Sequence, residues 1–430
     1  MHLRPRLRLP SAALGLAFLL SSTPVFTQAG PQNQHWVATW ATALVARPSQ
    51  PAAPAPGGPG TPAQPPQAPP RFSNQTLRQI VHTSIGGQRV RVVLSNTFGT
   101  APLSVGAARV GLRQKDSALV AGPARPLTFS GRASISIPAG AVMVSDAVSL
   151  AVPPLSDLAI DVYLPDDTGA SPSPLTSHTN ALQTSYVSAA GDHAGAAEFP
   201  VMSTTTSWFF LTRVEVMAPA QVGAVAAIGD SLTDGSQSTP DTNNRWPDHL
   251  ARALNRNGGA MGVLNLGIGG NRVLSDGNSP SALARFDRDV LVPPGVTHVI
   301  FMEGINDLGR TVSADDVIAG HTQIIERAHA HGLKIIGATI TPIEDTTFAG
   351  YYTPSNEAAR QAVNQWIRTS KAYDGVIDFD ALLRDANRPT KLQQPLASSD
   401  YIHPNDAGYR AMAGAVSLDL FRPRGAPAPR

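Results

Sequence analysis

At Pro219 the hydrophobic rhythm of the sequence changes, and the change divides the chain into two architectures. Before it, from Phe72 to about Met217, Gln88–Ser95, Ala133–Ile137, Asp157–Leu164 and Trp208–Val216 alternate or run apolar between turns rich in Gly, Pro and Asp. A period of two buries one face of a strand, and no long amphipathic pattern interrupts it. This half therefore predicts an antiparallel, all-β, sandwich-like domain. After Pro219, short apolar runs at Ala224–Ile228, Gly262–Leu266, His298–Met302, Lys334–Ile340 and Gly375–Phe379 alternate with helical patterns. Trp246–Asn255 is one, and Ser355–Ser370 is another, with Ala359, Val363, Trp366 and Ile367 on one face. Ser313 followed by Asp316 resembles a capping box, and Gly332 is a helix stop before the next strand. Such alternation predicts an α/β domain with a parallel sheet, helices on both its faces, and chemistry in the loops beyond the carboxyl ends of the strands.

The ends and the composition bound the setting. Arg4, Arg6 and Arg8 precede the apolar run Ala12–Leu20 and a Thr27-Gln28-Ala29 site, a pattern that predicts a cleaved signal peptide over residues 1–29. The run is too short to span a bilayer, and no later segment reaches about 18 continuous apolar residues, so stable membrane insertion is not expected. The mature protein is expected to be secreted or periplasmic, in a bacterial host. Without those three arginines the formal charge of +2 becomes about −1, which disfavours a nucleic-acid partner. The sequence contains no cysteine, which excludes disulfides, Cys-ligated metal and a thiol nucleophile within it. Ten prolines lie between Pro48 and Pro70, a composition with nothing to bury. The expected layout is a β-sandwich-like domain over 30–218 with a disordered insertion at 48–70, an α/β domain over 219–422, and a disordered tail at 423–430.

Gly229-Asp230-Ser231-Leu232 follows the first strand of the second half. A serine at a strand-to-helix turn stands at the sheet's C-terminal edge, where following backbone amides can face a reacting oxygen. Alone, Gly-Asp-Ser is an ordinary turn, and Thr233 breaks the Gly-x-Ser-x-Gly pattern. Near the C-terminus, Asp400-Tyr-Ile-His403 spaces a carboxylate to reach the imidazole Nδ1–H while Nε2 faces outward, the pairing that supports a serine nucleophile. Two more loops offer donors. Asn265-Leu-Gly-Ile-Gly-Gly270-Asn271 offers a bare glycine N–H, with Gly267, Gly269 and Gly270 as candidates, and Glu303-Gly-Ile-Asn306-Asp307 offers a side-chain amide.

These four blocks, in order on successive strand ends, resemble the SGNH (GDSL) hydrolase superfamily from about Ala224 to Phe421. The resemblance implies a three-layer αβα, flavodoxin-like parallel sheet. It also implies Ser231 as nucleophile, Asp400 and His403 as the rest of the triad, and an oxyanion hole from Ser231, Gly270 and Asn306. Gly270 is preferred for its place five residues after Asn265, as in the family. Trp246-Pro-Asp, Gly269-Gly-Asn-Arg272, Ala284-Arg-Phe-Asp287 and His403-Pro-Asn-Asp-Ala-Gly408 most resemble its acetylxylan-esterase-like branch, some of whose members carry a β-rich N-terminal domain. The implied activity is cofactor-free hydrolysis of carboxylic esters, chiefly short-acyl or O-acetyl esters of carbohydrate, with acetylated polysaccharide a candidate partner. Two alternatives are a lipolytic esterase or lysophospholipase for longer acyl chains, and a non-catalytic carbohydrate-binding protein. A dinucleotide fingerprint starting at Gly267 fails at Arg272. His321, His329 and His331 lack the spacing of ligands on one helix face. Asp230, Asp234 and Asp307 are read as loop-organising acids, and Tyr351 and Tyr352 as cleft-lining or packing residues.

Overall fold

The computed structural model describes residue 2 and residues 33–48, 70–256 and 260–421. The expected signal peptide apart from residue 2, residues 49–69 of the proline-rich insertion and the 423–430 tail lie outside the described residues. In the N-terminal half, alternation puts Val90, Val92 and Leu94 of strand Gly87–Ser95 into one apolar core with Leu158, Ile160 and Val162 of strand Asp157–Leu164. The two strands belong to different antiparallel sheets. One orders Gln34–Ala41, Leu211–Pro219, Gly87–Ser95 and Val142–Val144; the other includes Ser185–Ala190, Gln75–His82, Asp157–Leu164 and Ala107–Lys115 in that order. The expected strand Trp208–Val216 is two strands. Phe210 sits at φ +58°, a bend that lets Trp208–Phe209 pair with Leu175–His178 while Leu211–Pro219 pairs with Gly87–Ser95.

Five parallel strands form the C-terminal sheet, ordered Met261–Gly267, Gly223–Gly229, Val296–Met302, Lys334–Ala338, Gly375–Ile377. In chain order this is 2-1-3-4-5, and ligands of such sheets bind where the order reverses, beside the carboxyl end of the first strand. The last strand stops at Ile377 rather than Phe379 because Asp378 caps the helix Phe379–Leu383, its side chain accepting the Ala381 N–H. The helix Pro354–Thr369 also differs from its expected face. Asn356, Glu357, Arg360 and Asn364 are buried along with Val363 and Ile367, whereas Ala359 and Trp366 are only partly buried. Polar anchoring explains this: Arg360 donates to Glu357, Asp380 and the Ile340 carbonyl, and Asn364 bonds both backbone groups of Ile340.

The N-terminal sheets dock on the outer edge of the parallel sheet. A Cβ at Gly262 would lie 2.4 Å from the Ala38 carbonyl oxygen, so only glycine permits this approach. The outward N–H of Val263 donates to Ser84 Oγ at 3.0 Å, which satisfies an edge-strand donor.

Candidate active site

Ser231 opens a one-turn helix, Ser231–Asp234, immediately beyond the first parallel strand. Asp230 caps it, accepting the Leu232 N–H at 2.9 Å. The turn is pressed onto the second strand: a Cβ at Gly267 would lie 2.1 Å from the Asp234 nitrogen. Ser231 is 9% exposed, so its hydroxyl is aimed by its surroundings rather than free to rotate in solvent.

Across 172 residues of sequence, His403 Nε2 meets Ser231 Oγ at 2.8 Å. Its Nδ1 meets Asp400 Oδ2 at 2.7 Å. Asp400 Oδ1 accepts from the Ser398 hydroxyl at 2.7 Å and from the backbone N–H groups of Ile402 and His403 at 3.1 and 3.0 Å. Burial works to raise the Asp400 carboxyl. Hydrogen bonds from the His403 ring, the His403 N–H and the Ser398 hydroxyl outweigh it and hold the group well below the usual carboxylate range. Asp400 is therefore an anion at any pH where the imidazole is an effective base. That charge orients the ring so that Nε2 can take the serine proton.

The glycine loop lies beside the nucleophile. The Gly269 N–H is engaged by Asp234 Oδ2 at 3.2 Å, and the Gly267 N–H by Asn265 Oδ1 at 3.0 Å. Gly270 sits at φ +74° with open space around its Cβ position, and its N–H has no partner among the described residues. Asn306 lies beyond the third strand, in the short helix Ile305–Leu308. Its Nδ2 donates to the Asn271 carbonyl at 2.9 Å and its Oδ1 accepts from Tyr351 Oη at 3.0 Å, so the amide cannot flip and its second N–H stays available. Arg310 donates to Tyr351 Oη at 3.0 Å, completing the brace. The arrangement offers a base-paired hydroxyl and spare N–H donors on three neighbouring strand ends, as acyl transfer requires.

Tyr351 was legible in the sequence only as a cleft or packing residue; the structure makes it the support of Asn306. Tyr351→Phe should lower kcat by roughly 10-fold with KM changed by less than about 3-fold, because a loosened donor is felt most in the transition state. Steady-state kinetics on an activated ester checks this. Tyr352 is only partly buried against the core.

Behind the site, Arg285 is fully buried. It donates to the carbonyls of Leu266 and Gly229, to Asn271 Oδ1, and to Asp289, with Glu303 at 3.5 Å. One guanidinium thus ties together the ends of all three site-bearing strands. An arginine inside the apolar stretch Ala282–Phe286 was its only sequence signal. Asp307 holds the loop amides of Val273 and Leu274 at 2.8 and 3.2 Å, Asp234 holds Gly269, and Asp230 holds Leu232. His321 bonds Tyr373 and His329 bonds Asp374; among the described residues no cluster of three His, Cys, Asp or Glu could hold a metal.

Burial pushes the Asp230 carboxyl up to about 7, against the opposing Leu232 hydrogen bond, and pushes the buried Glu303 well above its ordinary value. Asp230 ordinarily titrates at 3.8, so between 3.8 and about 7 the folded state binds more protons than the unfolded chain. Its contribution to stability is therefore full below that window and is lost as pH rises through it. Asp230→Asn keeps an oxygen for the Leu232 cap but has no proton to lose. Thermal unfolding from pH 4 to 7 should show the variant gaining on wild type as pH rises; a pH-independent difference in Tm would contradict this.

Residues 227–411 match the model of the GDSL-like lipase/acylhydrolase family. No curated protein sequence matches the chain. Solved structures similar to it include a member of the lipolytic protein G-D-S-L family from Veillonella parvula, 21% identical over 45% of this chain and 94% of that one, with a TM-score of 0.34. A GDSL-like lipase from Bacteroides thetaiotaomicron is 18% identical over 46% and 87%, with a TM-score of 0.36. A psychrotrophic esterase from Pseudoalteromonas is 18% identical over 45% and 93%, with a TM-score of 0.36. The family match falls on the half of the chain that holds the parallel sheet and every residue of the site just described.

Proposed function

We propose that this carboxylic ester hydrolase, of the GDSL lipase/acylhydrolase type, works through Ser231 on short acyl esters, above all O-acetyl groups of carbohydrate. The observation that carries the catalytic assignment is the unbroken chain Asp400–His403–Ser231, with links of 2.7 and 2.8 Å. As Ser231 Oγ bonds to the ester carbonyl carbon, its proton passes to His403 Nε2 and the carbonyl electron pair moves onto oxygen. The Ser231 and Gly270 N–H groups and the free Asn306 N–H meet that oxyanion. Collapse breaks the bond to the alkoxide, which leaves with the proton from Nε2, and water repeats the sequence on the acyl-enzyme. Asn306→Ala should depress kcat by roughly 10²–10³-fold while changing KM little.

The substrate reading rests on the rim of the site. The Phe348 ring is 6.0 Å from the His403 ring, 5.5 Å from the Tyr351 ring, and 43% exposed. An exposed aromatic face beside a nucleophile suits stacking against the C–H face of a sugar whose acetyl group enters the site. The same apolar face would serve an acyl chain, so chain length is the discriminating variable. Nitrophenyl acetate should be cleaved with higher kcat/KM than the octanoate, and acetate should be released from acetylated xylan. A preference for octanoyl and longer esters, without release of acetate from glycan, would favour a lipolytic enzyme instead. The basic-then-apolar residues 1–29 support action outside the cytoplasm, and N-terminal sequencing of protein recovered from the periplasm or medium tests it.

A further inference from the structure

A buried side chain of the β-rich half bonds directly to the helix that begins with Ser231. His178 ends the strand Leu175–His178 and is 3% exposed. Its Nδ1 lies 2.8 Å from the Ala43 carbonyl, which can only accept, so Nδ1 is the donor there. Its Nε2 lies 3.0 Å from Asp234 Oδ1, and with Nδ1 donating to Ala43 it donates to that carboxylate as the imidazolium. Asp234 closes the one-turn helix that begins with Ser231, and its other oxygen holds the Gly269 N–H at 3.2 Å. The next residue is Gly270, whose N–H has no partner among the described residues. The ring itself packs at 5.5 Å from Trp208, whose Nε1 is tied to the Ile80 carbonyl at 2.8 Å.

We infer that His178 is a positioning residue for ester hydrolysis: it fixes the Asp234 carboxylate, which fixes Gly269 and thereby sets the Gly270 N–H at the oxyanion. The inference rests on the reading of Gly270 as an oxyanion donor. It makes the N-terminal half part of the catalytic apparatus rather than an appended module. Asn265, Ile268 and Asn271 anchor the ends of the loop, but Gly269 and Gly270 have no side chains of their own and Gly270 lies in open space, so the bond from Asp234 to the Gly269 N–H is what holds this stretch. The cavity beside His178 and Asp234 is about 20 Å³, room for one water, so the pair is not itself a ligand site.

Other contacts join the same two surfaces without touching the glycine loop. Asp241 accepts from Gln183 Nε2 at 2.7 Å and from the Thr184 N–H and hydroxyl, both at 2.6 Å. They provide the control for a merely structural staple. His178→Gln places an amide N–H near the former Nε2 and keeps the donor to Asp234. His178→Asn places it near the former Nδ1, keeping Ala43 and abandoning Asp234. With nitrophenyl acetate, His178→Asn should lose roughly 10–100-fold in kcat at a KM within about 3-fold of wild type, and His178→Gln should retain kcat within about 5-fold. Thr184→Val should lower Tm yet leave kcat within about 2-fold. Equal kcat for the Asn and Gln variants, or a kcat loss in Thr184→Val matching that of His178→Asn, would overturn the inference while leaving the hydrolase reading intact. Ser231→Ala, run alongside, separates the two: if it kept wild-type turnover, the reading beneath the inference would fall as well.

Discussion

Ser231→Ala is expected to lower kcat by roughly 10³-fold or more while Tm stays near that of wild type. Oγ is the only atom lost, and its one hydrogen-bond partner among the described residues is His403 Nε2 at 2.8 Å, so removing it breaks no structural bond among them beyond that contact. The helix start does not depend on the hydroxyl, because Asp230 supplies the cap. What disappears is the covalent route; donors from Gly270 and Asn306 remain and leave a residual rate above that of water. Circular dichroism with active-site-specific kinetics on the same preparation checks both halves of the expectation.

Asp400→Asn should cost roughly 10³–10⁴-fold in kcat, also without unfolding. The structure fixes which way the new amide must face. The Oδ1 position receives the N–H groups of Ile402 and His403 and the Ser398 hydroxyl, so the amide oxygen must occupy it. The NH₂ is then left at the Oδ2 position, facing His403 Nδ1. A donor there obliges Nδ1 to accept, moving the imidazole proton to Nε2, where it faces Ser231 and cannot be replaced by the serine proton. Kinetics of the purified variant, with Tm as the control, reads this directly. The loss should fall on kcat rather than KM, since the Asp400–His403 Nδ1 bond acts on the proton transfer and not on the reacting ester.

The reach of the sequence was set by how local each signal is. The first three parallel strands, read to Ile228, Leu266 and Met302 and found ending at Gly229, Gly267 and Met302, follow from apolar runs meeting glycines and polar residues, and the Asp400–His403 pairing follows from a three-residue spacing. The split at Phe210 was invisible, because nothing about that residue type announces a positive φ; the competing pairings of two sheets impose it. Helix Pro354–Thr369 misled for a related reason. Hydrophobic periodicity credits Ala359 and Trp366, but Arg360 and Asn364 gain more by satisfying the Ile340 backbone and the Asp380 carboxylate in the interior. Tyr351 on Asn306, Arg285 on three strand ends and His178 on Asp234 each reach, through one side chain, partners 14 to 56 positions away. Single residues of that kind carry no period and no motif, so only the folded chain displays their partners.

The assignment of Ser231 as the nucleophile is tested most directly by trapping it. Incubation of the protein with a nitrophenyl organophosphate, followed by peptide mass mapping, should find one phosphoryl adduct per chain. It should lie on the peptide holding Ser231, appear in step with loss of esterase activity, and be absent from Ser231→Ala. Complete inactivation with the adduct on another residue, or full esterase activity in protein carrying the adduct on Ser231, would contradict the account.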